Sequence, residues 1–242
     1  MRLSFRFRWV PFVATVLLVV LGISLGNWQT RRANYKLSLQ QQIEERSREA
    51  PLNADAIRRG TQPAEFRRVI ADGQFIADWP LYLENRPLEG RAGFYLLMPF
   101  RLAASGDVVL VLRGWFPRDA RDRTRIPDIA VPTGPLRIEG RVRADAGHVM
   151  QLGVVAPPAP RALLQNIEPG QFAAASGLPV HAFIIEQTSE TADGLRRDWP
   201  QPSFGIDTHR GYAFQWYALA AAALLFFIAT GIRRASKRNQ AT

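Results

Sequence analysis

The chain has 242 residues, carries 31 Lys and Arg against 21 Asp and Glu for a formal net charge of +10, and contains no cysteine. Without cysteine there are no disulfides, no thiolate metal sites, no copper-carrying thiols and no cysteine nucleophile. The charge is not a nucleic-acid signature, because residues 1–8 and 233–242 hold seven of the 31 basic residues and no acid, which leaves 24 basic against 21 acidic elsewhere.

Residues 1–8 form a basic tail. From Trp9 to Trp28 the chain is apolar without an internal Lys, Arg, Asp or Glu, and a bilayer core of ~30 Å needs ~20 such residues of helix. The basic start and the small residues Ser24 and Gly26 also fit a cleavable signal peptide. The length of the run and the bracketing tryptophans favour a retained transmembrane helix. Helical spacing continues through Tyr35, Leu39 and Ile43. Pro51 stops it, and Asn53 is placed to cap a short turn of helix closed by Gly60.

The pattern then changes to short runs rich in Val, Ile, Leu, Phe and Tyr, separated by turn residues. These are Arg68–Phe75, Leu81–Asn85, Phe94–Leu102, Val108–Phe116, Leu136–Arg143 and His181–Thr188. Ser105-Gly106-Asp107 reads as a hairpin turn, and the wholly apolar Val108–Val111 as the start of a central strand. Most connections are too short for parallel crossovers, so the sheet is expected to be mainly antiparallel. Pro169–Ser176, followed by Gly177, reads as a small helix beside it. Ala156–Pro160 and Asp198–Pro202 are Pro-rich connections. A second apolar span covers 212–232 and a basic tail covers 233–242. The expected fold is a membrane protein in which two terminal transmembrane helices, 9–28 and 212–232, flank a mixed α+β, mainly antiparallel β soluble domain over 29–211.

Both tails are basic, so the positive-inside rule puts them in the cytoplasm and the middle domain on the other face, periplasmic in a bacterium. Arg31, Arg32 and Lys36 run against that rule. The first span begins too early to leave room for a mitochondrial presequence. The expected location is therefore a bacterial inner membrane, with the protein multi-pass and in contact with lipid.

There are three histidines. His148 follows a glycine between strands, and His181 opens an apolar strand where a core or edge role is ordinary. His209 stands three residues before the second span, over Ala213 and Trp216 on one helical face. An imidazole there is either the polar cap of an aromatic belt or a nitrogen available to iron above an aromatic floor. Gln215 is costly in an apolar segment and is expected to face the other helix. Gly22 and Gly26 form a small-xxx-small motif, and Ala218 and Ala220–Ala223 a matching small face. Close packing there brings Trp28 and Gln29 near His209. Arg113 ends the most apolar strand next to Gly114, which points to a bulge or a close backbone approach. Like Arg86 and Arg91, Arg113 either binds carboxylates or makes an ordinary ion pair. No Walker loop, His-Glu-x-x-His or dinucleotide fingerprint is present, and no enzyme activity is expected.

The succession Leu25-Gly26-Asn27-Trp28-Gln29-x-x-Arg32-x-x-x-Lys36, Gly93-Phe94-Tyr95 with Pro99-Phe100, Val109 to Pro117, and His209-x-Gly211-Tyr212-Ala213-x-x-Trp216 resembles the surfeit locus protein one family. Leu112 and the Asp207-Thr208 pair depart from residues common in that family. The resemblance implies an assembly factor for haem–copper cytochrome c oxidase that assists insertion of haem a into subunit I, with a histidine at the position of His209 helping to bind haem a. On that reading His209 is the metal ligand, Trp28 and Trp216 flank the macrocycle with Gln29 beside them, and Arg113 reaches the propionates. The partners are cytochrome c oxidase subunit I, haem a synthase and membrane lipid. The alternative is a cofactor-free scaffold that stabilises nascent subunit I by protein contacts alone.

Overall fold

The computed structural model describes residues 3–5, 7–119, 121–122, 125–150, 157–200 and 205–234. Part of the first basic tail, most of the second, and parts of both Pro-rich connections lie outside the described residues. The chain forms two compact units, one of residues 1–41 with 202–242 and one of residues 42–201. In chain order the elements are β1 (Leu3–Phe5), α1 (Trp9–Arg48), β2 (Leu52–Asn53), a single 3-10 turn (Ala54–Ala56), β3 (Arg68–Phe75), β4 (Leu81–Leu83), β5 (Gly93–Leu102), β6 (Val108–Pro117), β7 (Leu136–Arg143), β8 (Leu163–Leu164), α2 (Pro169–Ser176), β9 (Val180–Gln187), α3 (Ile206–Gly231) and β10 (Ile232–Arg234).

The terminal unit is a pair of antiparallel helices, α1 up to Gln41 and α3, joined at one end by the antiparallel strands β1 and β10. Their packing runs through small residues. Gly22, Gly26 and Ala33 are buried on α1, and Ala213 and Ala220 on α3. A Cβ on Gly22 would meet the Ala220 Cβ at 2.9 Å, and one on Gly26 would meet the Tyr217 ring at 2.5 Å, so only glycine admits this approach. The expected small-xxx-small contact is thus observed. Near the β1–β10 end, Phe12 packs on Phe227 with ring centroids 5.9 Å apart. The outward faces carry large apolar side chains in the open, such as Val10 at 82% exposure and Phe226 at 72%. A water-facing protein buries such side chains, and both helices are long and apolar enough to cross a membrane. At 40 residues and 1.5 Å per residue, α1 is about 60 Å long, twice a hydrocarbon core, and its half beyond Trp28 is polar.

The second unit is a β barrel. Strands β3, β7, β9, β6 and β5 pair in that order, and β5 pairs back to β3, closing the ring. β4 and β8 extend the sheet beyond β5, and β2 lies on β3. Most pairings are antiparallel as expected, but β2–β3, β4–β8 and, within the ring, β6–β9 are parallel. The connection between β6 and β9 runs through β7, β8 and α2, which is long enough to cross over. Inside the ring, Val69, Phe94, Met98, Phe100, Val111, Phe183 and Ile185 make one core. A second layer outside it packs Leu97, Leu110, Leu112 and Ile184 under Phe172 of α2. β5 and β6 are therefore buried on both faces, which explains the unbroken apolar run from Val108.

Local signals explain several boundaries. Asn53 caps the 3-10 turn by accepting the Asp55 N–H, but the turn ends at Ala56, well before Gly60. Gly177 closes α2 in the left-handed conformation with φ 69°. The register of β5 on β6 slips between Leu96 and Leu97, opposite Arg113. This is the expected bulge. Gly114 has no room for a side chain there, because its Cβ would lie 2.6 Å from the Leu195 Cβ.

Candidate functional site

His209 lies one turn into α3. Its Nδ1 is 2.7 Å from Gln29 Oε1 on α1. Gln29 Oε1 is an acceptor, so Nδ1–H donates and the lone pair is left on Nε2, which makes no hydrogen bond among the described residues. Metal-binding histidines are oriented in this way, one ring N–H held by an oxygen and the other nitrogen free.

Helix geometry decides what surrounds that nitrogen. At ~100° per residue, Gly22, Gly26, Gln29 and Ala33 form the contact stripe of α1 within ~60° of one another, and Trp28, Arg32 and Tyr35 point ~80–140° to one side. On α3, His209, Trp216 and Tyr212 lie ~40–100° to one side of the stripe that Ala213 and Ala220 form. The two sides coincide, because Gln29 and His209 meet there. On the opposite flank the Tyr217 hydroxyl donates to Asn27 Oδ1 at 2.8 Å and lies 3.4 Å from the Thr30 hydroxyl. One flank of the helix pair thus gathers His209, Gln29, Trp28, Trp216 and Tyr212. The other is a polar clasp of Asn27, Thr30 and Tyr217, of which only Asn27 carries a signal in sequence, as part of the run from Leu25 to Lys36.

Gln215 does not face α1. It is exposed, because it stands ~200° from Ala213 on the helix and so points away from the contact stripe. Gly22 to Gly26 also spell Gly-x-Ser-x-Gly, a pattern used by hydrolase nucleophiles. Here both glycines lie mid-helix against α3, and a nucleophile elbow needs a strand, a turn and a helix. No cluster of metal-binding side chains is found among the described residues.

Arg113 is in the other unit, and its expected role is corrected by its surroundings. It is fully buried in the barrel. The bulge turns it inward, where its guanidinium donates to Asp193 Oδ2 at 2.8 Å and to the Ala130 carbonyl at 3.0 Å and stacks 4.9 Å from the Phe75 ring. Its charge is already met, so it is not an open carboxylate site. Asp193 also accepts from Arg197 at 2.7 Å. Burial pushes the Asp193 carboxyl up, but bonds from Arg197, Thr191 and the Leu195 N–H outweigh it and hold it below the usual carboxylate value. Arg86 is likewise buried and donates to the Gly147 and Gln165 carbonyls.

Of the other histidines, His181 is fully buried beside Phe183, and burial holds its pKa below the ordinary value. It is a core residue. His148 lines a cavity of about 270 Å³ with Arg86, Tyr95, Arg143 and Glu186. Glu186 is buried there, its carboxyl pushed up by burial and partly restored by Arg143 at 3.0 Å.

The SURF1 family model matches residues 16–221, most of the chain. A SURF1-like protein of Dictyostelium discoideum is 24% identical over 86% of this chain and 91% of its own length. The cytochrome oxidase assembly protein SHY1 of Saccharomyces cerevisiae is 26% identical over 60% of this chain and 36% of its own length. Surfeit locus protein 1 of Homo sapiens is 30% identical over 46% of this chain and 41% of its own length.

Proposed function

We propose that this chain, which belongs to the SURF1 family, is a membrane-anchored assembly factor for cytochrome c oxidase that holds haem a for insertion into subunit I. The yeast relative is named as a cytochrome oxidase assembly protein. The observation that carries the reading is the His209–Gln29 hydrogen bond of 2.7 Å, which fixes the imidazole with Nε2 free on the flank that carries Trp28 and Trp216. Haem a, the cargo, brings an iron that takes an axial nitrogen and a flat apolar face that packs on indole rings.

The residues present fit that cargo. One imidazole with one oriented nitrogen gives a single axial bond, and the exposed flank lets the group leave sideways. A closed site with two axial ligands would retain it. Gln29 sets the tautomer and the indoles supply apolar surface. No bond of the cargo is broken, so the protein works as a carrier without catalysis. In this reading α1 and α3 cross a bacterial inner membrane with both tails cytoplasmic. Residues 42–201 face the periplasm and meet subunit I, and haem a synthase delivers the group.

The test is the absorption spectrum of protein purified from membranes with and without haem a synthesis. A haem a spectrum is expected in the wild type and is lost in His209→Ala. A colourless wild-type protein that still co-purifies with subunit I would overturn the reading in favour of a cofactor-free scaffold.

A further inference from the structure

Resting on the haem a reading above, we propose that Arg32 and Lys36 of α1 form the carboxylate-binding end of the helix-pair site and grip the propionates of haem a. Four observations carry this. First, Arg32 shares the flank of Trp28 and His209, and Lys36 stands ~40° from the contact stripe toward that same flank. Second, Lys36 reaches across to the first turn of α3, its amine 4.0 Å from where a Cβ on Gly205 would be. Third, neither cation has an acidic partner among the described residues. The ion pairs among the described residues all fall within 42–201, and Asp207, the acid nearest in sequence to His209, points ~120° to the opposite side of α3. Arg32 lies over the face of Tyr35, 6.0 Å from its ring centroid. Fourth, these cations follow the first span on the side where the positive-inside rule disfavours them.

The spacing suits the chemistry. From Gln29, level with the imidazole, to Lys36 the helix rises about 10 Å, comparable to the reach from a porphyrin centre to its propionate carboxylates. The polar edge of the macrocycle then points toward the polar ends of the helices, and its apolar edge toward the exposed apolar faces. Arg31 points ~180° from the contact stripe and takes no part. It is a natural control.

Anionic lipid phosphates offer the same cations a similar charge, so the experiment separates the two. Full-length protein in detergent is titrated with haem a and with its propionate dimethyl ester, and retained phosphatidylglycerol is measured. Each exposed cation–carboxylate contact changes an equilibrium by up to about fivefold. Arg32→Gln with Lys36→Gln is therefore expected to raise the haem a dissociation constant roughly tenfold while the spectrum of histidine ligation stays. The diester should bind wild type and variant alike, Arg32→Lys with Lys36→Arg should recover most of the affinity, and Arg31→Gln should change nothing. Unchanged haem a affinity in the double Gln variant overturns the proposal, and so does a loss confined to phosphatidylglycerol. Either result leaves the haem reading standing. Failure of the wild type itself to bind haem a removes both.

Discussion

In the barrel, Arg113 is fully buried and meets Asp193 at 2.8 Å, whereas Arg32 on the helix pair is exposed and lies over the Tyr35 ring with no ion-pair partner among the described residues. The two regions treat charge and apolar surface in opposite ways. The barrel encloses its apolar side chains in two layers and gives its buried arginines fixed acceptors, the Asp193 carboxylate for Arg113 and backbone carbonyls for Arg86. The helix pair buries little more than a stripe of glycine and alanine, leaves large apolar side chains outward, and makes no ion pair among the described residues. The first arrangement stores stability, and the second leaves groups free to bind something else. An arginine at the end of a conspicuous motif is therefore not a ligand site until its partners are known.

The sharpest way to break this comparison is to remove the carboxylate of Asp193, which leaves Arg113 buried without a counter-charge and Arg197 with the exposed Glu190 at 3.8 Å. Asp193→Ala is expected to cost about 3–5 kcal/mol of stability, read from thermal unfolding of the full chain in detergent. A shift within a degree of wild type would show that the barrel does not depend on the pair. Because the Asp193 carboxyl is held below its usual value, its contribution is full above its unfolded pKa of ~3.9 and is lost as pH falls through the lower, folded value. The acid limb of the stability profile should therefore flatten in Asp193→Asn.

Next comes the helix contact. A side chain on Gly26 enters the Tyr217 ring, so Gly26→Leu is expected to cost about 1–3 kcal/mol of helix-pair stability by overpacking. The chain has no native cysteine, so cross-linking reports cleanly. A short bis-maleimide bridge between Phe12→Cys and Phe227→Cys, at positions whose rings lie 5.9 Å apart in the native helix pair, should form readily in the otherwise wild-type protein and fall sharply when Gly26→Leu is added. An unchanged yield would mean that the glycine stripe does not set the pairing.

How far these regions could be read from sequence follows the same division. β3 and β7 run between the expected residues because turn residues and alternating burial mark local boundaries. The bulge was legible in Gly114. Closure of the barrel was not, because the β3–β5 and β6–β9 pairings join segments far apart in sequence and leave no local trace. The fate of Arg113 was hidden for the same reason, since Asp193 is 80 residues away. On the helix pair the motifs pointed to His209, Gln29 and Trp28. The direction of Gln215, however, depends on which α3 residues form the stripe, and only the packing of Ala213 and Ala220 decides that.

Gln29 tests the site with a smaller perturbation than loss of the imidazole. Outer partners of a metal-binding histidine change metal affinity by roughly 10–100-fold. Gln29→Leu should therefore weaken haem a binding toward the lower end of that range, because the ring sits on an open helix face and still packs against α1. Gln29→Glu, which keeps the acceptor, should retain most of the affinity. Equal losses in both variants would mean that the 2.7 Å bond does not orient the ring.

The smallest effect is expected where the barrel meets solvent. Asp72 and Arg137 pair at 2.7 Å across β3 and β7, but their side chains are 42% and 65% exposed. The hydrogen bond from Arg137 lowers the Asp72 pKa, so this pair too contributes above ~3.9 and fades as pH falls below it. Water and salt screen an exposed pair, and holding two long side chains together costs entropy, so Asp72→Asn should change stability by only ~0.2–1 kcal/mol, and by less at high salt. If Asp72→Asn matched Asp193→Ala, burial would not be what separates the two pairs. The contrast between the core and the exposed cations of the helix pair would then need a different physical basis, with strand register the first candidate, because Asp72 and Arg137 are direct cross-strand partners.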